Sequence, residues 1–199
     1  MLDVKDILSG DYVGKKVTVC GWVRNHRKQK EFGFIDFSDG TCFKHLQIVY
    51  DNKLKEFEEI LKIKNGSSIE VTGEIVSSVG SGQTIELRAT NVKLLGDCPD
   101  EYPMQPKQHT KEFLREQAYL RPRTNLFQAV FRVRSIAAHA IHTYFQNNGY
   151  VYFHAPLITS SDCEGAGQMF QVTTLDLNKV AKTGKLEYDK DFFNKPAAL

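Results

Sequence analysis

The chain has 199 residues, a formal net charge of +2, 41% hydrophobic residues and 25% charged residues. This composition is typical of one large or two small globular domains and excludes an intrinsically disordered chain. A charge this close to zero also excludes a uniformly basic protein, so affinity for nucleic acid would have to come from a local patch. No apolar run reaches the length of a membrane span, and the N-terminus resembles no signal or transit peptide. We therefore expect a cytoplasmic protein with no membrane partner.

The four cysteines lie far apart in the sequence, at Cys20, Cys42, Cys98 and Cys163. No CxxC pair or Cys/His cluster with metal-ligand spacing is present, so we expect reduced thiols and no metal site in this chain.

The segment from Lys16 to Tyr50 is predicted to form three strands. Apolar and polar residues alternate in Val17 to Arg24, Phe32 to Phe37 and Phe43 to Tyr50, and a period of two is typical of half-buried strands. The polar, basic run Arg24 to Lys30 is predicted to be the first turn.

The alternation separates two faces of these strands. The predicted core face carries Ile35, Phe37, Leu46 and Ile48. The opposite face carries Phe32, Phe34, His45 and Gln47. Exposed rings beside a cationic turn suit unpaired nucleic acid, because bases stack on the rings and cations hold the phosphates. The alternative is that both phenylalanines pack beneath a neighbouring element.

Three further elements are predicted downstream: a helix over Asn52 to Leu61 and strands over Ser68 to Val79 and Thr84 to Leu95. In the last strand Ala89 and Val92 fall in different phases, which predicts a bulge between them. Three strands, a helix and two strands are the order of an OB-fold, a five-stranded Greek-key β barrel that commonly binds oligonucleotides.

A proline-containing segment follows the barrel and reads as a hinge. The predicted division is an OB-fold domain at 1–97, a hinge at 98–123 and a second, α+β domain beginning at 124. A short helix is predicted within Lys111 to Leu120.

The clearest helix is predicted over Asn125 to Asn148, with Thr124 as its N-cap and Gly149 as a left-handed stop. A strand is predicted over Tyr150 to His154. The helix has a broad apolar face, which we expect to be buried against its own domain, or otherwise against a second copy.

The run from Ile158 to Phe170 is rich in small residues and carries one carboxylate, Glu164, at its centre. Such a loop could close over a small ligand and pair Glu164 with an amino group. The alternative is a solvated surface turn. The stretch from Lys179 to Leu199 shows no closing element, which suggests that the sequence stops within a domain.

These residues together resemble a known family. The helix ending in Gly149, followed by Tyr150 to Ile158, resembles motif 1 of the class II aminoacyl-tRNA synthetases. An OB-fold, a hinge and motif 1 in this order look like the aspartyl, asparaginyl and lysyl subgroup. The runs at 120–125, 161–167 and 169–172 are similar to its asparaginyl members.

The resemblance implies that the barrel binds the anticodon of tRNA(Asn). Phe34 matches the aromatic residue that stacks on an anticodon base, Gln47 a base-reading amide, and Arg24 a basic anticodon contact. Arg27 and Lys28 belong to the same predicted contact region.

The resemblance also implies roles in the second domain. Motif 1, with Gly149 and Pro156, would form a homodimer interface. The small-residue loop would close over L-asparagine, with Glu164 near the ammonium group and Ser161 and Asp162 as loop-shaping residues or weak contacts.

The implied reaction is asparagine–tRNA ligation. Asparagine and ATP with Mg²⁺ form an asparaginyl adenylate, which the terminal adenosine of the tRNA attacks. Motifs 2 and 3, which would hold ATP and Mg²⁺, are expected beyond Leu199, so this chain alone is expected to be inactive and to carry no catalytic residues. Two alternatives stay open: a free-standing module for single-stranded RNA, and an aspartyl or lysyl relative.

Overall fold

The computed structural model describes residues 1–78, 80, 82–105, 107–161 and 168–199. The chain divides into two compact units, Met1–Ala137 and Ala138–Leu199. No helix in the described part is both long and apolar enough to cross a membrane.

The first unit contains a closed five-stranded barrel. Its elements in chain order are α1 (Val4–Ser9), β1 (Lys16–Lys28), β2 (Phe32–Ser38), β3 (Leu46–Asp51), α2 (Phe57–Ile60), β4 (Ser68–Ser77) and β5 (Ile85–Gly96). The strand order around the barrel is β1-β2-β3-β5-β4. The parallel pairing of β3 with β5, with Ile48 opposite Leu87, closes it. The predicted OB-fold is confirmed.

The barrel core contains the side chains that alternation assigned to it. Ile35, Phe37, Leu46 and Ile48 are each 0% exposed, so the prediction of the inner face is confirmed. Burial of such side chains provides most of the stabilisation of a small barrel.

The predicted basic turn is wrong, because β1 continues through it. Lys28 pairs with Gly33 of β2, and the register shifts between Val23 and Asn25. The backbone of β2 supplies hydrogen-bond partners to this polar stretch, and the side chains of Asn25, Arg27 and Lys28 are exposed. Polarity alone therefore did not mark the end of the strand. The bulge at Arg24 changes the direction in which the following side chains point.

Two other predicted boundaries are wrong. β3 begins at Leu46 and not at Phe43, which is 48% exposed. The predicted helix over Asn52 to Leu61 is reduced to the single turn of α2, whose Phe57 and Ile60 are buried. One turn is enough to place these two side chains on the core.

The bulge predicted in β5 is confirmed. Along β4 the register shifts between Thr72, which pairs with Asn91, and Gly73, which pairs with Ala89. The extra residue lets Ala89 and Val92 both reach the core although they differ in phase.

A helical segment follows the barrel. It comprises α3 (Lys111–Glu116), a 3₁₀ turn at Arg121–Arg123 and α4 (Asn125–Asn147). The N-cap prediction is confirmed, because the Phe127 amide donates a hydrogen bond to Thr124 Oγ1 at 3.4 Å.

Gly149 ends the α4 segment with φ of +83°, which confirms the predicted left-handed stop. The strand predicted over Tyr150 to His154 is wrong, because this stretch joins no described strand and Val151 is 89% exposed. The alternating pattern there lacks a neighbouring strand with which to pair.

The described residues bury none of the side chains of α4. Val133, Ile136 and Tyr144 on its apolar face are 64–69% exposed. The prediction that this face packs within its own domain is therefore wrong. Packing against a second copy stays a prediction.

The second unit contains β6 (Gln171–Val172), α5 (Leu177–Thr183), a 3₁₀ turn at Tyr188–Lys190 and β7 (Ala197–Ala198). β6 and β7 pair antiparallel, and Thr159 forms a bridge with Ala198.

Asp191 organises this unit. It is 5% exposed and accepts hydrogen bonds from the Thr173 hydroxyl at 2.6 Å, from the Thr174 amide at 2.8 Å and hydroxyl at 2.9 Å, and from the Phe192 amide at 2.8 Å. The bonds from Thr173 and Thr174 lower the pKa of Asp191 to about 2.

We expect the stabilising effect of Asp191 to depend on pH. Because its pKa is depressed in the folded chain, the contribution is present above the ordinary pKa of 3.8 and is lost as pH falls through about 2. The amide proton of Thr174 should titrate with a midpoint near 2 in an NMR experiment. This titration should disappear in Asp191→Asn and persist in Asp189→Asn, which alters an exposed carboxylate. A midpoint near 3.8 would contradict the assigned hydrogen bonds.

Candidate nucleic-acid interface

An open groove of about 870 Å³ lies on the outer face of the barrel. β1 contributes Arg27, β2 contributes Phe32 and Phe34, and β3 contributes Gln47. The groove, which we call the Phe34 groove, also includes Tyr50, Asp51, Lys53, Glu86 and Arg88. Because strand residues alternate between faces, the same pattern that buries Ile35 and Ile48 turns Phe34 and Gln47 outward.

Two phenylalanine rings form the aromatic part of the groove. The rings of Phe32 and Phe34 meet edge to face, with centroids 5.4 Å apart. Phe32 is 38% exposed and Phe34 is half-buried. The guanidinium carbon of Arg27 lies 5.1 Å from the centroid of Phe34, a cation–π distance. The alternative, that both rings pack beneath another element, does not hold for the described residues.

A chain of hydrogen bonds orients the amide of Gln47. Arg27 donates a hydrogen bond to the Gln47 side-chain oxygen at 3.1 Å, and the Gln47 side-chain nitrogen donates to Glu86 at 3.4 Å. The hydroxyl of Ser78 also donates to Glu86, at 3.1 Å. Because a guanidinium only donates and a carboxylate only accepts, these two contacts define which way the amide points. The groove therefore presents a fixed donor and acceptor beside an aromatic surface.

Tyr50 supports this surface from the core side. Its hydroxyl donates to His26 Nε2 at 2.6 Å, and His26 Nδ1 donates to the Ile63 carbonyl at 3.0 Å. Burial raises the pKa of Tyr50 to about 12 and lowers the pKa of His26. Both groups therefore stay neutral near pH 7, and a hydrogen-bonded pair links β1, β3 and the segment after α2.

The groove combines three chemical properties that suit an unpaired nucleotide. Phe34 and Phe32 offer stacking surfaces, the Gln47–Glu86 pair offers groups that can read a base edge, and Arg27, Lys53 and Arg88 offer cations for phosphate.

Arg24 and Lys28 do not line this groove. Arg24 is the bulged residue of β1 and lies with Trp22 and Arg123 at another cavity. Lys28 lines a third depression beside His26. Of the five sequence-predicted anticodon residues, the structure thus brings together Phe34, Gln47 and Arg27.

Sequence reasoning missed Glu86. Glu86 lies beside Gln47 because β5 pairs with β3. No local sequence pattern reveals a pairing between strands this far apart in the chain.

The five other predicted site residues all fall within the second unit, at 138–199. Ser161 is exposed, and its amide donates to Thr159 Oγ1 at 3.1 Å. Asp162 and Glu164 lie outside the described residues. Gly149 and Pro156 are exposed, and their predicted interface role stays a prediction. Among the described residues no group of three or more His, Cys, Asp or Glu side chains could hold a metal ion.

The sequence and fold match known proteins in both parts of the chain. Residues 17–95 match the OB-fold nucleic acid binding domain family, and residues 110–187 match the class II tRNA synthetases of the D, K and N group. The chain therefore carries an OB-fold nucleic acid binding domain and a segment that matches the class II tRNA synthetases.

In sequence the chain is similar to asparagine–tRNA ligases. It is 52% identical to the Acholeplasma laidlawii ligase over 94% of its own length and 41% of the relative's. It is 52% identical to the Acetivibrio thermocellus ligase over 95% of its own length and 41% of the relative's. The chain thus spans about two fifths of the length of these curated relatives.

Solved structures show the same fold. Pyrococcus horikoshii asparaginyl-tRNA synthetase, complexed with asparaginyl-adenylate, aligns with a TM-score of 0.79 over 100% of this chain and 42% of that chain, at 21% identity. Entamoeba histolytica asparaginyl-tRNA synthetase aligns with a TM-score of 0.73 over 100% of this chain and 42% of that chain, at 21% identity. The predicted barrel followed by the start of a class II catalytic domain is confirmed.

Proposed function

We propose that the Phe34 groove binds the anticodon of tRNA(Asn) and that the chain serves asparagine–tRNA ligation. The observation that carries the proposal is the convergence of Phe34, Arg27 and Gln47 in one open groove. The 52% identity to asparagine–tRNA ligases supports the choice of tRNA(Asn).

The groove suits an anticodon because those bases are unpaired and can leave the loop. An anticodon base stacks on Phe34, and its edge meets the amide of Gln47, which Arg27 and Glu86 hold in one orientation. Lys53 and Arg88 lie where they can neutralise the flanking phosphates. Most of the affinity comes from stacking and phosphate contacts, whereas discrimination comes from the amide.

The remaining parts of the proposal concern the ligase as a whole. L-asparagine, ATP and Mg²⁺ are its proposed partners, with Glu164, Ser161 and Asp162 near the amino acid. The exposed apolar face of α4 supports a homodimer through motif 1. A cytoplasmic location is proposed from the similarity to asparagine–tRNA ligases.

Binding to tRNA transcripts that differ only in the anticodon tests this function. We expect the chain to bind the tRNA(Asn) transcript more tightly than one whose anticodon bases are replaced, by about 1–3 kcal/mol per replaced base. Fluorescence titration at fixed salt measures both affinities. Equal affinities would contradict anticodon recognition and favour a sequence-indifferent RNA-binding module.

Arg27→Ala should reduce the salt dependence of tRNA binding. Loss of one phosphate-neutralising cation lowers the slope of log K against log salt by about 1. Lys62→Ala, which removes an exposed lysine outside the groove, is the control and should leave the slope unchanged. An unaltered slope in Arg27→Ala would show that this cation only positions Gln47 and Phe34.

A further inference from the structure

A second cavity, of about 540 Å³, lies between β1 and the segment from Tyr102 to Leu126 of the first unit. It shares no lining residue with the Phe34 groove. The described residues that line it include four basic side chains and no Asp or Glu. The basic residues are Arg24, Lys107, His109 and Arg123.

Trp22 provides an exposed aromatic surface at this cavity. It is the only tryptophan in the sequence and is 43% exposed. The guanidinium carbon of Arg123 lies 6.0 Å from the Trp22 ring and 5.9 Å from the Tyr102 ring, and its Nη1 donates to the Tyr102 hydroxyl at 3.1 Å. An indole of this size offers stacking area to a planar ligand.

Arg24 has little compensation for its burial. Its guanidinium donates to the carbonyl oxygen of Arg123, and in the described part of the chain no carboxylate forms a salt bridge with it. Burial lowers its pKa. Tyr102 and Asp36 offset only part of this burial, and none of the described residues that line the cavity is Asp or Glu, so the site favours a negatively charged ligand.

We propose that this cavity binds a nucleotide, with the base on Trp22 and the phosphate on Arg24 and Arg123. Its volume is within the range of small-ligand pockets. Arginines bind phosphate oxygens through paired N–H groups, and Lys107 adds a cation at the rim. A free mononucleotide and one residue of an RNA strand share this chemistry.

Trp22 fluorescence tests the proposal directly, because Trp22 is the only tryptophan in the sequence and lines this cavity. The 199-residue chain is titrated with AMP and with a single-stranded hexamer of adenylates. We expect saturable quenching by at least one of them. Quenching by AMP alone identifies a free nucleotide as the ligand, quenching by the hexamer alone identifies an RNA strand, and quenching by both supports the shared chemistry. Quenching by neither would overturn the proposal.

Adenosine and two variants test the phosphate contact. Adenosine should bind the unmodified chain about tenfold more weakly than AMP does. AMP and the hexamer should bind the Arg123→Gln variant about tenfold more weakly than they bind the unmodified chain. Lys107→Gln should also weaken binding. Because Lys107 is exposed, this variant should fold, and it tests the phosphate contact if Arg123→Gln does not fold. Lys16→Gln, on an exposed lysine far along β1, should bind as the unmodified chain does.

Phe34→Ala separates the two surfaces. It should leave the quenching unchanged, because Phe34 does not line this cavity. If Phe34→Ala abolishes the quenching and Arg123→Gln retains it, the ligand binds in the Phe34 groove, and the proposal is overturned. Anticodon discrimination by the groove is measured separately, so either conclusion can fail alone.

Discussion

Phe34→Ala is expected to weaken binding of tRNA(Asn) by roughly 1–3 kcal/mol, which corresponds to about a five- to 150-fold rise in Kd. The ring lies on the outer face of β2, against Phe32 and Arg27, and not in the barrel core. Its removal should therefore cost stacking energy while the fold persists. Binding titration and thermal unfolding of the same variant measure the two effects.

The matched control is Phe37→Ala, three residues along the same strand. Phe37 is 0% exposed, so its truncation should destabilise the barrel by about 3–5 kcal/mol. A Phe34→Ala variant that lost its thermal transition as Phe37→Ala does would show that Phe34 is a core residue.

Gly73→Ala is expected to cost the barrel about 3 kcal/mol or more. A Cβ at this position would overlap the carbonyl oxygen of Arg88 and lie 2.8 Å from its carbonyl carbon. Both are backbone atoms of β5, so relief requires the β4–β5 pairing to move at its bulge. Chemical denaturation measures the change in the free energy of unfolding.

Gly82→Ala is the control for this change. A Cβ there has no atom of the described residues within 4 Å, apart from its chain neighbours, so the effect of Gly82→Ala should stay within about 0.5 kcal/mol. If Gly73→Ala is equally mild, β4 and β5 do not approach as closely as the structure indicates.

The core face of the barrel was predictable because a period of two leaves a strong signal. Ile35 and Ile48 alternate with polar or aromatic partners, and the outward position of Phe34 and Gln47 follows at once. The bulge in β5 was also visible, because Ala89 and Val92 cannot both face the core in a regular strand.

Pairings between distant strands left no such signal. The polar end of β1 reads as a turn until β2 is placed beside it, and the position of Glu86 depends on β3 lying parallel to β5. The bulge at Arg24 redirects that side chain away from the groove, which the uninterrupted alternation of the sequence did not show. For the same reason the strand predicted at Tyr150 to His154 failed, because alternation describes a face but does not supply a partner strand.

NMR titration of the chain with the anticodon stem-loop of tRNA(Asn) tests most directly whether the Phe34 groove reads the anticodon. We predict that the ring protons of Phe34 and the side-chain amide of Gln47 shift most, and that a stem-loop with altered anticodon bases shifts them less. Unchanged Phe34 and Gln47 signals at saturating RNA, with shifts only elsewhere on the chain, would contradict anticodon recognition by this groove.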